Sequence, residues 1–412
     1  MTWERVPLGE VATVSWGDTS TTKAAYSSTG HTAYSASGPD GLLPYADHTE
    51  QGVVVSAIGA KCGKTWLTSE KWSCIKNTMW FRAHGDRAFT PFLYYATADP
   101  GMWPRRGAAQ PFVSLGDARA MQVTLPPLPV QHKITAVLSA YDDLIENNNR
   151  RIKTLEEMAQ RIYREWFVDF RYPGHEAVPL VDSELGPIPA GWDVRSLGGV
   201  VAFHIGGGWG AGEISDSHHH FARVIRGTDI PRVRRGDMTS CPGRYHTAAN
   251  VRHRILAEGD IVFEVSGGSK DQPVGRSLLI NEELVDGSGT ETICASFCKL
   301  VRSDRSVILP ELLQFRFLDA YESGEIGVYQ VQSTGITNLQ FSQLLKSFPI
   351  VTPPIEIQKT FVQRVGAMIS AVTLVGVQSS NLRACRDLLL PRLISGEIDV
   401  TDLDIAMPEA AA

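Results

Sequence analysis

The closest approach to a chemical motif in this 412-residue chain is Gly59-Ala-Lys-Cys-Gly63-Lys64-Thr65, which follows the apolar run Val53 to Ile58. A strand that delivers a glycine loop ending in Gly-Lys-Thr resembles a nucleotide-binding phosphate loop. That loop needs four residues between its glycines, so that backbone N–H groups can curl round the phosphates. Three stand here. A nucleotide-dependent enzyme built on residues 59–65 is therefore kept as the alternative, and a strand-end turn presenting Lys64 to a ligand is preferred. His218-His-His220 lacks a further ligand at metal spacing, and consecutive side chains point different ways, so the triplet reads as an exposed loop and no metal is expected. Cys294 and Cys298 stand four apart with no second pair and read as buried thiols. Three further signatures are missing: Asn/Asp-Pro-Pro-aromatic, Asp/Glu-x-Lys and Gly-x-Gly-x-x-Gly. Together these absences suggest a chain that recognises something and leaves chemistry to others.

The residues suited to recognition are basic. Arg223 to Arg254 holds eight arginines against two aspartates. Arginine can read guanine edges bidentately as well as bind phosphate, and Asn and Gln suit adenine edges. The DNA-binding candidates are Lys64, Arg82, Arg105, Arg106 and Gln110 in the first half. In the second half they are Arg226, Arg234, Arg235, Lys270, Arg276 and Asn338. A solvated basic face is the plain alternative. The net charge of −6 argues mildly against a lone nucleic-acid binder. Six scattered cysteines without a CxxC indicate neither a disulfide framework nor a zinc ribbon. The N-terminus does not read as a signal peptide and no run of 18 apolar residues occurs, so a soluble cytoplasmic protein without a membrane partner is expected.

Two long periodic stretches must position these groups. Within 130–168, which lacks Pro and Gly, Ile134, Leu138, Tyr141, Ile145, Asn148, Ile152, Leu155, Ala159, Ile162 and Trp166 form a heptad seam. Phe361, Val365, Met368, Val372, Val375, Ser379, Leu382, Arg386, Leu389 and Leu393 repeat it. Because the chain must return between them, the helices are expected to pair antiparallel. At full overlap Asn148 meets Ser379, flanked by Ile145, Ile152, Val375 and Leu382 as spacer positions.

The globular parts look duplicated. Trp3 and Trp192 each precede a Leu-Gly by five residues, a strand ending in a glycine loop follows, and each part closes on Pro-Pro before a seam helix. Runs 52–58, 78–83, 223–230 and 260–265 read as strands, clusters 35–41, 206–212 and 266–269 as loops, and 90–98 and 310–321 as short helices. The expected fold is a mixed α/β, α+β chain with two pseudo-repeated globular domains separated by two long antiparallel coiled-coil helices. Expected boundaries are 1–129 for the first domain, 130–168 for its helix and 169–188 for a Pro/Gly-rich linker. Residues 189–354 make the second domain, 355–396 the distal helix and 397–412 an acidic tail.

Several stretches resemble the specificity subunits of type I restriction-modification systems, and the likeness covers nearly the whole chain. They are Trp166-Phe-Val-Asp-Phe-Arg-Tyr-Pro173, Asp182 to Trp192, Leu388 to Ile398, Gly107-Ala-Ala-Gln-Pro-Phe-Val-Ser114 and Val224 to Ile230. One departure is Phe112, standing where the family often has Asn after Gln-Pro. The resemblance implies two target-recognition domains, each reading half of a split DNA sequence. It also implies helices that dock DNA methyltransferase (modification) subunits, two of them expected, together with ATP-dependent restriction subunits. No cofactor is expected on this chain; S-adenosylmethionine, ATP and Mg would belong to the partners. About 34 residues of seam span on the order of 50 Å at ~1.5 Å per residue, or about 15 base pairs of duplex. A non-reading structural adaptor remains a further alternative.

Overall fold

A computed structural model describes residues 3–268, 272–333 and 335–406. Lys270 and residues 407–412 of the acidic tail lie outside them. The chain divides into two compact units, Met1–Leu144 with Leu382–Ala412, and Ile145–Asn381. Both long helices are shared between them, so each unit owns a stretch of both.

The first unit carries a four-stranded sheet in the order Ala12–Trp16, Thr78–Ala83, Val53–Ser56, Thr65–Leu67. Beside it a three-stranded sheet runs Gly38–Leu43, His31–Ser35, Trp72–Cys74. The second unit repeats both orders, as Val201–Gly206, Cys298–Ser303, Ile261–Glu264, Ser277–Leu279 and as Gly243–His246, His220–Ile225, Thr292–Cys294. In each smaller sheet the central strand pairs antiparallel on one side and parallel on the other. The β-branched runs at 53–55 and 261–262 are buried because their strands lie inside a sheet covered on both faces. Thr90–Ala96 and Pro310–Glu322 are the short helices packed behind.

Four expectations shift. Residues 35–41 are a hairpin rather than a loop, with Ser35 ending one strand, Gly38–Leu43 forming the next and Ser35 paired to Gly38. Residues 226–230 leave the strand, because Asp229 turns back onto the Arg226 N–H at 3.0 Å and starts a helical turn. Residues 266–268 form a short strand against Ile336–Leu339 rather than a loop. Within 169–188, Phe170 and Tyr172 pack on the Trp192 ring, so this Pro/Gly-rich stretch is folded down.

A buried glutamine begins each long helix, Leu128–Phe167 and Ile355–Ile394. Gln131 accepts from the Phe89 N–H at 2.9 Å and donates to the carbonyls of Arg87 and Pro126 at 2.8 Å each. Gln358 accepts from Leu309 N–H at 2.8 Å and donates to Val307 and Pro353 at 2.9 and 2.8 Å. Each side chain thus ties its helix start to the short helix and to the Pro-Pro segment.

The helices run antiparallel within each unit. In the second, Ile152 clusters with Val372 and Val375, and the Trp166 ring lies 6.0 Å from that of Phe361. In the first, Asp142 meets Arg386, while Ile134 and Leu138 share a core with Leu393. These contacts fall on the full-overlap register. Asn148 and Ser379 are both buried, and the Ser379 hydroxyl bonds back to the Val375 carbonyl at 3.0 Å. Ile145 is buried as well, and Leu382 is half-buried. By length and composition Ile355–Ile394 could cross a membrane. Part of its apolar surface is engaged: Phe361 and Val365 lie in the second unit's core and Leu389, Leu390 and Leu393 in the first's, while Leu374 and Leu388 are exposed.

Candidate nucleic-acid interface

In the first unit the strand Val53–Ser56 runs into a turn at 57–64 and returns as the strand Thr65–Leu67. The turn is closed by its own backbone, with Cys62 N–H on Gly59, Gly63 N–H on Ser56 and Lys64 N–H on Lys61, at 2.8–2.9 Å. Gly59 and Gly63 take φ of 92° and 85°, left-handed values that favour glycine. A phosphate loop needs free N–H groups and a helix start behind them. Here the N–H groups of Gly59, Cys62, Gly63 and Lys64 are spent and a strand follows in place of a helix, which speaks against the nucleotide-binding alternative at 59–65.

A second loop is sewn onto this turn. Gly59 N–H bonds to Pro111, Val113 N–H to Ala57, and Arg106 and Phe112 exchange both backbone bonds. The stitching brings Lys64, Arg105, Arg106 and Gln110 to one end of the large sheet. Lys64 is exposed, its ammonium 5.6 Å from the Trp66 ring. Arg105 is exposed and donates to the Pro100 carbonyl, with no acidic partner among the described residues. Arg106 holds Asp117 through Nε and Nη2 at 2.6 and 2.7 Å, which lowers the pKa of that carboxyl. Burial pushes the Cys62 thiol up, with the Arg105 charge pulling the other way. Gln110 is exposed at the loop tip. Arg82 does not join them. It sits four residues along its strand from Thr78, which pairs with Ser56 beside the turn, and it meets Glu50 at 2.8 Å.

The second unit keeps the stitching and changes the chemistry. Leu339 N–H bonds Val265 at 2.8 Å where Val113 N–H bonds Ala57 at 2.9 Å, and Glu264 N–H bonds Arg276 where Ser56 N–H bonds Lys64. Arg276 is thus the counterpart of Lys64, yet Glu264 replaces Ser56. The guanidinium turns inward onto that carboxylate, 10% exposed, and the hydrogen bonds it donates to Glu264 raise its pKa. This corrects its assignment as a DNA contact, since the guanidinium is buried against its carboxylate partner and its remaining N–H groups do not face solvent. Gly227 is required here, because a Cβ would lie 2.1 Å from the Glu264 carboxylate.

Three other arginines also serve the fold. Arg226 grips Asp229 and the Ser240 carbonyl. Arg234 donates to the Ser277 carbonyl at 2.8 Å, and burial lowers its pKa. Arg235 bonds Glu156 of the first long helix, on a turn so close to the second that the Arg235 carbonyl lies against Gly376. Burial of Arg234 corrects its assignment as a DNA contact, while Arg226 and Arg235 are ion-paired with side chains 41% and 49% exposed; residues 226–236, read as a basic patch, also bracket the sheet against the helices. Asn338 is different, being half-buried on the short strand and accepting from the Ser266 hydroxyl at 2.6 Å. Trp209, 39% exposed with Arg244 stacked 4.7 Å from its ring, was not singled out from sequence; Trp-Gly-Ala-Gly at 209–212 reads only as a loop.

Residues 1–157 match the Type I restriction modification DNA specificity domain family. The Type I restriction enzyme MjaIX specificity subunit of Methanocaldococcus jannaschii is 25% identical over 299 residues, covering 72% of this chain and 65% of that relative. The chain resembles type I specificity subunits. The HindI specificity subunit of Haemophilus influenzae is 22% identical over 354 residues, covering 71% of this chain and 72% of the relative. The match spans less than two thirds of the first relatives' lengths, 65% and 64%. The crystal structure of a Type-I restriction-modification system S subunit from M. genitalium shares the fold, with a TM-score of 0.58 at 11% identity over 95% of this chain and 96% of that one. The mixed α+β architecture with long helices is therefore shared with that S subunit.

Proposed function

We propose that this chain is a non-catalytic specificity subunit that reads a bipartite DNA sequence, one half through each duplicated unit. The observation that carries this reading is the duplicated turn-and-loop, Ala57–Val113 and Val265–Leu339, with the same backbone bonds and different exposed groups. Lys64, Arg105 and Gln110 are exposed donors at this place in the first unit, and Asn338 stands at it in the second. Each long helix runs unbroken for 40 residues, about 60 Å at ~1.5 Å per residue, as a stiff element of this reading. Exposed Leu144, Met158, Leu374 and Leu388 on these helices suit docking of methyltransferase subunits. In this reading S-adenosylmethionine, ATP and Mg act on the methyltransferase and restriction subunits, and the assembly works in the cytoplasm.

Salt-dependent duplex binding by the chain with its methyltransferase subunits tests the proposal. Lys64→Ala with Arg105→Ala should weaken binding to all sequences and flatten the salt slope by about two. Unchanged affinity and slope, or methyl transfer by the isolated chain, would overturn it.

A further inference from the structure

The duplicated scaffold allows residues to be compared at one position in two settings. Ile58 bridges Phe112 antiparallel in the first unit, and Ser266 pairs with Asn338 in the second. Each pair stands directly beside the shared backbone bond, Val113 to Ala57 or Leu339 to Val265. The two pairs therefore occupy the same place, one apolar and one polar.

Neither is a core position. Phe112 is 38% exposed on a loop whose neighbour Val113 is fully buried. Along Ile336–Leu339, Thr337 and Leu339 turn inward, while Ile336 and Asn338 share the open face with Val331, which pairs with Asn338. Val331 and Ile336 are 44% and 43% exposed. The Ser266 hydroxyl donates to Asn338 Oδ1. That bond fixes the amide plane and leaves Nδ2 as a donor directed away from the serine. Ile58 cannot do this for any partner.

Resting on the DNA-reading role proposed above, we infer that Phe112 and Asn338 are one base-contacting position written twice with opposite chemistry. Phe112 meets its half-site by apolar contact, of the kind a thymine methyl accepts. Asn338 meets its own by donating from Nδ2 to a purine acceptor, with Ser266 as the positioning residue. The two halves of the target then differ in base at corresponding positions.

The test uses the full chain with its methyltransferase subunits, selected on a library of random duplexes, with thermal unfolding of each variant alongside. Wild type should return a two-part consensus. Asn338→Asp, which replaces the donor by an acceptor, should reduce purine preference at one position of one half by roughly tenfold and leave the other half intact. Ser266→Ala should blur the same position, and Phe112→Ala should blur one position in the other half. If Asn338→Asp unfolds the unit, Ser266→Ala carries the test alone, since it keeps the backbone pairing. An unchanged consensus in folded variants, or an even loss at every position, overturns the inference and leaves DNA reading standing. Wild type without any consensus overturns both.

Discussion

Replacing Gln131 by leucine removes a clamp without changing side-chain bulk greatly. The leucine fills the same buried space but leaves three backbone groups, Phe89 N–H, Arg87 C=O and Pro126 C=O, without their partner. A buried backbone group left unsatisfied costs about 1–3 kcal/mol. The low end at all three sites gives about 3 kcal/mol, more than a hundredfold in the folding equilibrium. Gln358→Leu strips Leu309, Val307 and Pro353 in the same way, with bond lengths matching within 0.1 Å, so its cost should be equal. Hydrogen exchange read by mass spectrometry across a urea series resolves the two units, which a single global transition would merge. Gln131→Leu should lower protection of segments 53–56 and 78–83 and spare 261–264 and 298–303; Gln358→Leu should do the reverse. The double variant should be additive, because the clamps share no partner. A loss below about 1 kcal/mol, or equal loss in both units from one substitution, would refute the idea that each glutamine secures its own unit.

Three other perturbations follow from particular contacts. Gly376→Ala would place a Cβ 1.5 Å from the Arg235 carbonyl, so helix and bracket must separate, and thermal unfolding should show a loss of roughly 2–4 kcal/mol even though alanine is the better helix former. Under native conditions Ellman's reagent should titrate Cys385 rapidly and the other five thiols only after denaturation, since Cys74, Cys241 and Cys294 are buried with pKa values pushed up to about 12; prompt reaction of two or more would contradict the packing. Burial raises the Asp229 pKa, but hydrogen bonds from Arg226 outweigh it and hold the carboxyl below the usual 3.8. The unfolded chain therefore takes up that proton first, and the contribution present above about pH 4 is lost on further acidification. Acid titration followed by circular dichroism should show Asp229→Asn flattening this fall in the second unit.

What could be read from sequence depended on whether a signal was periodic or pairwise. The seam from Ile134 to Trp166 and its counterpart from Phe361 to Leu393 repeat every three or four residues, and that spacing alone sets the buried stripe. The duplication was legible because Trp, Leu-Gly and Pro-Pro are rare landmarks kept in order. Arg234, Arg235 and Arg276 meet partners distant in sequence, Ser277 forty-three residues on, Glu156 seventy-nine before and Glu264 twelve before, whereas Arg226 pairs with Asp229 only three residues on. Net charge counts cannot show this, because the neutralising group need not be local. Lys64, Arg105 and Gln110 stay exposed, the first on a tight turn and the others on the loop sewn to it.

The Ser56/Lys64 and Glu264/Arg276 pairs show why such a scaffold can change what it presents without changing how it folds. In both units the return strand is held by a backbone N–H to C=O bond, Ser56 to Lys64 and Glu264 to Arg276, at 2.8 and 2.9 Å. Backbone bonds are blind to side-chain identity, so the fold persists whether the cation projects outward or folds inward. Changing Ser56 to an acid would not suffice to turn Lys64 inward. The second unit also needs Gly227, whose missing Cβ makes room for the Glu264 carboxylate. Ser56→Glu in the first unit should therefore bury an unpaired carboxylate and destabilise it by several kcal/mol, at the scale of a broken buried ion pair. In the second, Glu264→Ser should free Arg276 at a cost of that same order. If Ser56→Glu left the first unit's urea midpoint unmoved, sheet geometry alone would be setting the cation's direction, and the pairing argument would fail.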